Sequence, residues 1–457
     1  MLTKPAASLS LPARARESQP PPEVEVYSPQ PSAPASQHPG LLLAARMLLA
    51  VGLLYCLYAV ASQAIALAYF RFQPLPLGLQ QALRWDPGNP RYYALLGRFY
   101  QHSPQEADLD LAIHFYQQAT RRSPLRASYW ADLGAAYELA GRTAEARHAY
   151  EHARQLFPHS PRINWRLANF YLRLGRLQQA LPVLRPALAG DPELRRPAFD
   201  LAWRAGADPA LILDTMLPPD PQVFFEYLRY LVQTDRLDSA QRVWNRLLAL
   251  HLPFQTRAAF FYLDALIDHR RLDALTAAWT ALQERDPQLT RPRPHDRNLI
   301  PNHNFESNLL NGGLGWRVRP VAGAVVSLDS STFLDGARSL RIQFDGKHNL
   351  DYAHVFLYLP VQPQTRYRFI GYLRTRDLTT DSGPRFELLD VYDRSRFFLS
   401  SPSVVGSRSW TRQQLEFQTG PDTRLLLLRL TRPPSRKLDN RIAGTVWIDR
   451  VSLYAVQ

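Results

Sequence analysis

The chain has 457 residues, with 54 Lys and Arg against 40 Asp and Glu, a formal net charge of +14, 38 prolines and a single cysteine. Such a length exceeds one ordinary domain and the composition changes along it, so roughly two or three folded units plus a tail are expected. Cys56 lies alone in an apolar stretch, which excludes a disulfide framework or a cysteine-based metal site within the chain. The positive charge is compatible with nucleic acid, anionic lipid, an acidic glycan or an arginine-rich surface. The basic residues are spread, with no polybasic arm, zinc-finger spacing or single-strand platform, and no nucleic-acid partner is expected.

Residues 1–40 carry Pro20, Pro21, Pro22, Pro29, Pro31, Pro34 and Pro39 among Ser, Ala and Gln. That mixture buries too little apolar surface to offset its ordering entropy, and predicts a disordered tail. From Met47 to Phe70 no charge occurs, and ~20 apolar residues at ~1.5 Å rise span a ~30 Å bilayer core. The block 41–70 therefore predicts a single transmembrane helix, with Arg46 at one end and Tyr69, Phe70 and Arg71 at the other. The competing readings are a buried soluble helix and a signal peptide cut after Ala59, Val60 and Ala61. A tail of about 45 residues is long for a signal n-region, and apolar residues continue past that point through Ile65, Leu67 and Tyr69. Flanking charge does not orient the helix.

The next block, 73–290, repeats. Trp130, Leu133, Gly134 and Tyr137 are followed by Ala146, Tyr150, Ala153 and Pro158. One period of about 34 residues later, Leu167, Ala168, Tyr171, Ala180, Leu184, Ala187 and Pro192 hold the same places. Upstream, Leu96, Gly97, Tyr100, Ala112, Tyr116, Ala119 and Pro124 form another unit after an insertion near Ser103 and Pro104, preceded by the half-unit Leu79, Ala82 and Pro87. Downstream the pattern decays through Phe224, Tyr227, Leu231, Ala240, Trp244 and Leu247, then Tyr262, Leu266, Leu275, Trp279, Leu282 and Pro287, with a degenerate stretch Glu193 to Pro219. The W-x2-L-G-x2-Y series resembles the tetratricopeptide repeat, clearest over 90–192, and implies about six helical hairpins. In such arrays the Trp and Tyr stripe is inter-helix core, and protein partners bind the concave face lined by the first helix of each pair. Arg98, Asn164, Asn169 and Arg173 are candidates for that face, set against the plainer reading of a solvated helix side.

Beyond Pro292 and Pro294 the period becomes two. Tyr352 to Val361, Arg366 to Arg374, Arg385 to Tyr392, Arg412 to Gln418 and Arg424 to Leu430 read as strands, so 296–457 predicts a β-sandwich of jelly-roll type. The fold class is thus multidomain: a helical solenoid, then a sandwich. Asn298, Leu299, Asn304, Phe305 and Glu306, then Gly315 and Trp316, then Gly336, Ser339 and Leu340, and the closing Val446, Trp447, Ile448, Asp449, Val451, Ser452 and Leu453 resemble family 4 and 9 carbohydrate-binding modules, galactose-binding-like sandwiches. The resemblance implies a structural calcium at Glu306 and Asp449, against two carboxylates held by backbone. It also implies a polysaccharide or other glycan ligand. Alternation places Tyr352, His354, Phe356 and Tyr358 on one face and Ile370, Tyr372 and Arg374 on another. Tyr358, Tyr372 and Arg374 are the glycan candidates, with core packing as the competing role, and Trp316 and Trp410 are assigned to the core.

No catalytic residues are expected. The carboxylates Asp381, Glu387, Asp390 and Asp393 form no pair that sequence can identify, and no nucleophile elbow, Walker loop, H-E-x-x-H or dinucleotide fingerprint occurs. The expectation is a membrane-anchored, non-enzymatic adaptor presenting a glycan-binding sandwich in envelope polysaccharide assembly or export, without a required cofactor. It would sit in a bacterial inner membrane with its C-terminal domains periplasmic or extracytoplasmic. The rival is a structural scaffold whose sandwich binds no sugar. A polysaccharide-processing enzyme is the third reading.

Overall fold

A computed structural model describes residues 39–287, 289, 298–437 and 440–456. The predicted tail and the prolines Pro292 and Pro294 fall outside the described residues. By internal contacts the chain divides into two compact units, 1–92 and 93–457.

In the first unit, α1 (Pro39–Phe72) is followed by α2 (Leu77–Trp85). Within α1, Leu43–Phe72 is a 30-residue stretch long and apolar enough to cross a membrane. Most of its large apolar side chains, Leu48, Leu54 and Tyr58 among them, are exposed.

The helical part continues with α3 (Pro90–His102), α4 (Leu109–Arg122), α5 (Ala127–Leu139), α6 (Thr143–Leu156), α7 (Pro161–Arg173) and α8 (Leu177–Gly190). Then come α9 (Arg195–Arg204), the single turn α10 (Pro209–Leu211) leading into a π-helical turn at Ile212–Met216, α11 (Pro221–Gln233), α12 (Leu237–Ala249), α13 (Phe260–Asp268) and α14 (Leu272–Arg285). Local sequence sets the starts. Ser160, Asp208 and Asp220 each precede a proline at the first helical position, and their side chains accept amide hydrogens from Ile163, Ala210 and Gln222 respectively.

From α5 onward the hairpin turns share one geometry. A residue with positive φ follows the first helix, at Gly141 (72°), Gly175 (70°) and Gly206 (71°), then at Asp235 (57°) and Arg270 (61°). The next amide closes back onto the helix, as in Arg142 N–H to Tyr137 O, Arg176 to Tyr171, Ala207 to Ala202, Arg236 to Leu231 and Arg271 to Leu266. The stretch Glu193 to Pro219, degenerate in sequence, is therefore one more helical pair.

Packing explains the small residues. A Cβ on Gly97 would sit 2.8 Å from the Tyr116 ring, and one on Gly134 3.0 Å from Tyr150. The two rings are buried, and the glycines let α3 and α5 lie directly against them. The tyrosine hydroxyls of successive repeats are anchored alike: the Gln117 amide donates to Tyr137, and one repeat later Tyr171 donates to Glu151.

The sandwich comprises β1 (Arg317–Val318), β2 (Ala324–Asp329), β3 (Ser339–Asp345), β4 (Tyr352–Pro360), β5 (Arg366–Leu378), β6 (Arg385–Asp390), β7 (Phe398–Ser400), β8 (Gly406–Gln418), β9 (Leu425–Arg432) and β10 (Ala443–Ala455). One antiparallel sheet runs β1-β4-β9-β6-β7 and the other β2-β3-β10-β5-β8. Leu340, Ile342, Val355, Leu357, Phe369, Phe386, Leu428, Val446 and Ile448 meet between them in one buried cluster with Phe305 and Trp316. Asn298 ties the start of the domain to its last strand, its side-chain oxygen accepting from the Leu453 amide at 2.9 Å.

Two sequence expectations need correction. The β4 pairing shifts register between Tyr352 and Val355, so Tyr352 joins the core cluster while His354, Phe356 and Tyr358 lie opposite. Trp410 stands half-exposed on β8, outside the core cluster.

The last helical pair and the sandwich belong to the same compact unit. Phe260 and Trp279 press on Gly312 and Gly313, where an added Cβ would lie 2.2 and 2.4 Å from their rings. The Tyr392 hydroxyl donates to Ile267 O at 2.7 Å, Arg317 pairs with Asp264, and Arg424 pairs with Asp273.

Candidate functional site

Polar side chains on the first helices form the candidate protein-binding face. Arg98 on α3 reaches Asp132 on α5 at 2.9 Å, and Arg166 on α7 reaches the other oxygen of the same carboxylate at 2.7 Å. The Asp132 side chain is 6% exposed while the two arginines are 55% and 45% exposed, so two guanidinium groups share one sheltered acid and the row keeps an excess positive charge. Arg173 pairs with Glu138 at 2.6 Å, and Tyr150 donates to the second oxygen of that glutamate. Arg166 was not among the sequence candidates. It occupies the position of Asp132 one repeat later, which is the signal that could have found it.

Asn164 does not belong to that face. It is fully buried, and its amide donates to Pro158 O at 2.7 Å and Ser160 O at 2.8 Å, bracing the start of α7. Asn169 is half-buried and donates to Trp165 O within its own helix.

The three glycan candidates do not converge. Tyr358 is on β4 of the first sheet, whereas Tyr372 and Arg374 are on β5 of the second, on its outer face. Arg317 lies over the Tyr358 ring at 5.1 Å while pairing with Asp264 of α13, which places Tyr358 in the seam with the last repeat. Tyr372 is half-buried, cross-strand from Arg412, and Arg374 is exposed. Sequence could not separate these sheets, because β4 and β5 are consecutive strands.

Glu306 and Asp449 do approach one segment. Asp449, fully buried, accepts from the amides of Leu334 at 2.7 Å, Asp335 at 3.0 Å and Arg450 at 2.7 Å. Glu306 accepts from Ala337 at 2.7 Å and Arg338 at 3.0 Å. Gly336 between them has φ 75°, and a Cβ there would come within 2.3 Å of the Glu306 carboxylate. Burial holds the Asp449 carboxyl above its ordinary range despite the three amides, which act the other way. A hard cation needs oxygen ligands facing it. Here amide donors converge on both carboxylates, and no group of three or more His, Cys, Asp or Glu suited to a metal occurs among the described residues. The pair fits an anchor for the loop between β2 and β3 better than a calcium cage. A chelator should accordingly leave the melting profile of the full-length protein unchanged, as differential scanning fluorimetry with and without calcium would register; a calcium-dependent rise would reinstate the ion.

Tetratricopeptide-repeat family models match residues 105–161 and 137–200, so this part of the chain consists of tetratricopeptide repeats. Among solved structures, a TPR2B-domain complex of yeast Sti1 with pHsp70 is 22% identical, covering 26% of this chain and 95% of that one at a TM-score of 0.24. A crystal structure of MamA is 16% identical, covering 38% and 85% at 0.26. A family 4 carbohydrate-binding module is 13% identical, covering 34% and 99% at 0.26. No curated protein matches the chain.

Proposed function

We propose that this protein is a membrane-anchored, non-catalytic adaptor whose tetratricopeptide repeats hold a protein partner and whose sandwich engages a glycan in envelope polysaccharide assembly or export. The observation that carries the adaptor half is the row Arg98–Asp132–Arg166 with Glu138–Arg173, exposed arginines of α3 and α7 fixed by ion pairs to two sheltered acids of α5 between them. Pre-positioned side chains lose less entropy on binding than free ones. Because the arginines outnumber the acid at Asp132, an acidic segment is the partner chemistry that suits them. Residues 41–70 supply the anchor, and the folded domains stand on the periplasmic or extracytoplasmic side of a bacterial inner membrane.

Cross-linking and co-purification of the full-length protein from its native membrane, with wild type beside Arg98→Glu/Arg166→Glu/Arg173→Glu, tests this. Loss of a partner in the reversed variant at unchanged expression is expected; an identical set of partners would refute the groove. Reporter fusions after Gln457 test the side, and an active cytoplasmic reporter would overturn the localisation.

One observation favours a second reading, in which the sandwich caps the repeats and binds no sugar. Its first sheet is engaged by α13 through Arg317, Tyr358 and Tyr392.

A further inference from the structure

The outer face of the second sheet is free of that seam, and its charge is one-sided. Strand pairing fixes a row across it: Arg341 on β3, Trp447 on β10 and Arg374 on β5 stand opposite one another. Beside this row, Thr445 faces Gln343 on one side and Arg376 on the other, and Tyr372 faces Arg412 on β8. Neighbouring strands lie about 4.8 Å apart and same-face residues along a strand about 7 Å apart, so the guanidinium groups form a grid with the spacing of charges on a polymer.

The acids of this face are already engaged. Asp329 accepts from the Trp447 indole at 2.7 Å and lies 3.7 Å from Arg341, Glu416 pairs with Arg368 at 2.7 Å, and Asp377 at the end of β5 accepts from the Ser407 hydroxyl. Burial acts to raise the Asp329 carboxyl, but hydrogen bonds from the Ser331 hydroxyl, the Trp447 indole and the Ser331 amide, together with the Arg341 charge, hold it down at about 2. Arg374, Arg376 and Arg412 are exposed and have no ion-pair partner among the described residues. Trp447 is buried beneath them, with Arg374 and Arg376 at 5.8 and 5.2 Å from its ring. Guanidinium groups resting on an indole are held in place at little further entropic cost, with their forks left for an external anion. Exposed apolar groups that would enter a bilayer are few here, Val325 being the large one, and the aromatics Tyr372, Trp410 and Tyr454 are only half-exposed.

We infer that this face, centred on Arg374, Arg376 and Arg412, binds an acidic polysaccharide through its carboxylate groups. The inference rests on the glycan half of the proposed function and names the class of glycan. Paired guanidinium–carboxylate contacts supply the affinity, and the exposed amides of Gln343 and Gln414 face the hydroxyls of the sugar rings.

The test uses the full-length protein in detergent, with polygalacturonate as the acidic probe, dextran as the neutral one, and oligo-dT and phosphatidylglycerol vesicles as other polyanions. Polygalacturonate should bind, more weakly as salt rises, and Arg374→Ala/Arg376→Ala/Arg412→Ala should lower its affinity about tenfold or more. Removing the same charge from the repeats, as Arg121→Ala/Arg147→Ala/Arg204→Ala, should leave binding unchanged. Equal losses in both triple variants, or oligo-dT or vesicles binding as tightly as polygalacturonate, would overturn the inference in favour of nonspecific charge. Binding of dextran alone, unaffected by either variant, would overturn it and leave the glycan reading standing; binding of neither polysaccharide would remove both.

Discussion

Arg432→Met should unfold one end of the sandwich, costing about 3–5 kcal/mol, the cost of stripping a buried polar network of its hub. Arg432 is fully buried at the end of β9. Its Nε donates to Ser382 O at 3.2 Å, Nη1 to Asn349 Oδ1 and Leu350 O, both at 2.8 Å, and Nη2 to Thr380 Oγ1 at 2.9 Å and Asn440 O at 3.0 Å. A guanidinium group has five N–H donors, and all are used. The acceptors come from the β3–β4, β5–β6 and β9–β10 connections, so one side chain closes three loops. Burial lowers the Arg432 pKa while Asp381 and Asp351 pull it up, and the charge is carried by neutral acceptors rather than by a direct ion pair among the described residues. Methionine fills much of the volume but leaves several buried acceptors empty. Lysine keeps the charge without the fork, and should recover only a part of the loss. Hydrogen exchange of the full-length protein checks this: peptides from β9, β10 and the three loops should exchange faster in Arg432→Met, while those of α5 to α8 stay as they are. Unchanged protection in β9 and β10 would show that water or neighbouring residues replace the guanidinium.

That hub was not legible in the sequence, and the reason is physical. A strand arginine is ordinarily exposed, and nothing local distinguishes Arg432 from Arg424 or Arg429. The repeats were legible because period and residue type report the same packing: Gly97 and Gly134 are small where Tyr116 and Tyr150 press on them. The later repeats faded because their turns use Asp235 and Arg270 in the left-handed conformation where earlier ones use glycine, and because α9 and α10 depart from the pattern while keeping the Gly206 turn. Strand positions followed from alternation, but alternation says nothing about which sheet a strand joins. Tyr358 and Tyr372 therefore looked like neighbours and are on different sheets, and the bulge after Tyr352 reversed the parity of β4. Asn164 shows the same limit in a helix, since a polar residue at a groove-like spacing braces its own helix start.

Asp449→Ala should release the loop from Thr332 to Arg338 and lower the stability of the sandwich by about 2–4 kcal/mol, with three amides, two of them in that loop, losing a charged acceptor in a dry site. The gain from removing a buried carboxylate opposes this, which keeps the net below the sum of the lost bonds. Asp449→Asn separates the two effects. Its oxygen can keep the amides of Leu334 and Asp335, but its NH2 then meets the Arg450 amide, donor against donor. The asparagine variant should thus lose less than the alanine one, and neither should depend on calcium. The pH profile supplies a second check. Burial raises the folded-state pKa of Asp449 above the ordinary 3.8, so between these values the folded protein holds a proton that the unfolded chain has released. The contribution of this residue is complete below 3.8, falls as pH rises through the raised value and is level above it. Urea titrations followed by exchange at the β2–β3 loop should show that slope in the wild type and its absence in both variants. If Asp449→Asn instead matched Asp449→Ala and added calcium stabilised only the wild type, the carboxylate would be a metal ligand and the loop amides secondary to it.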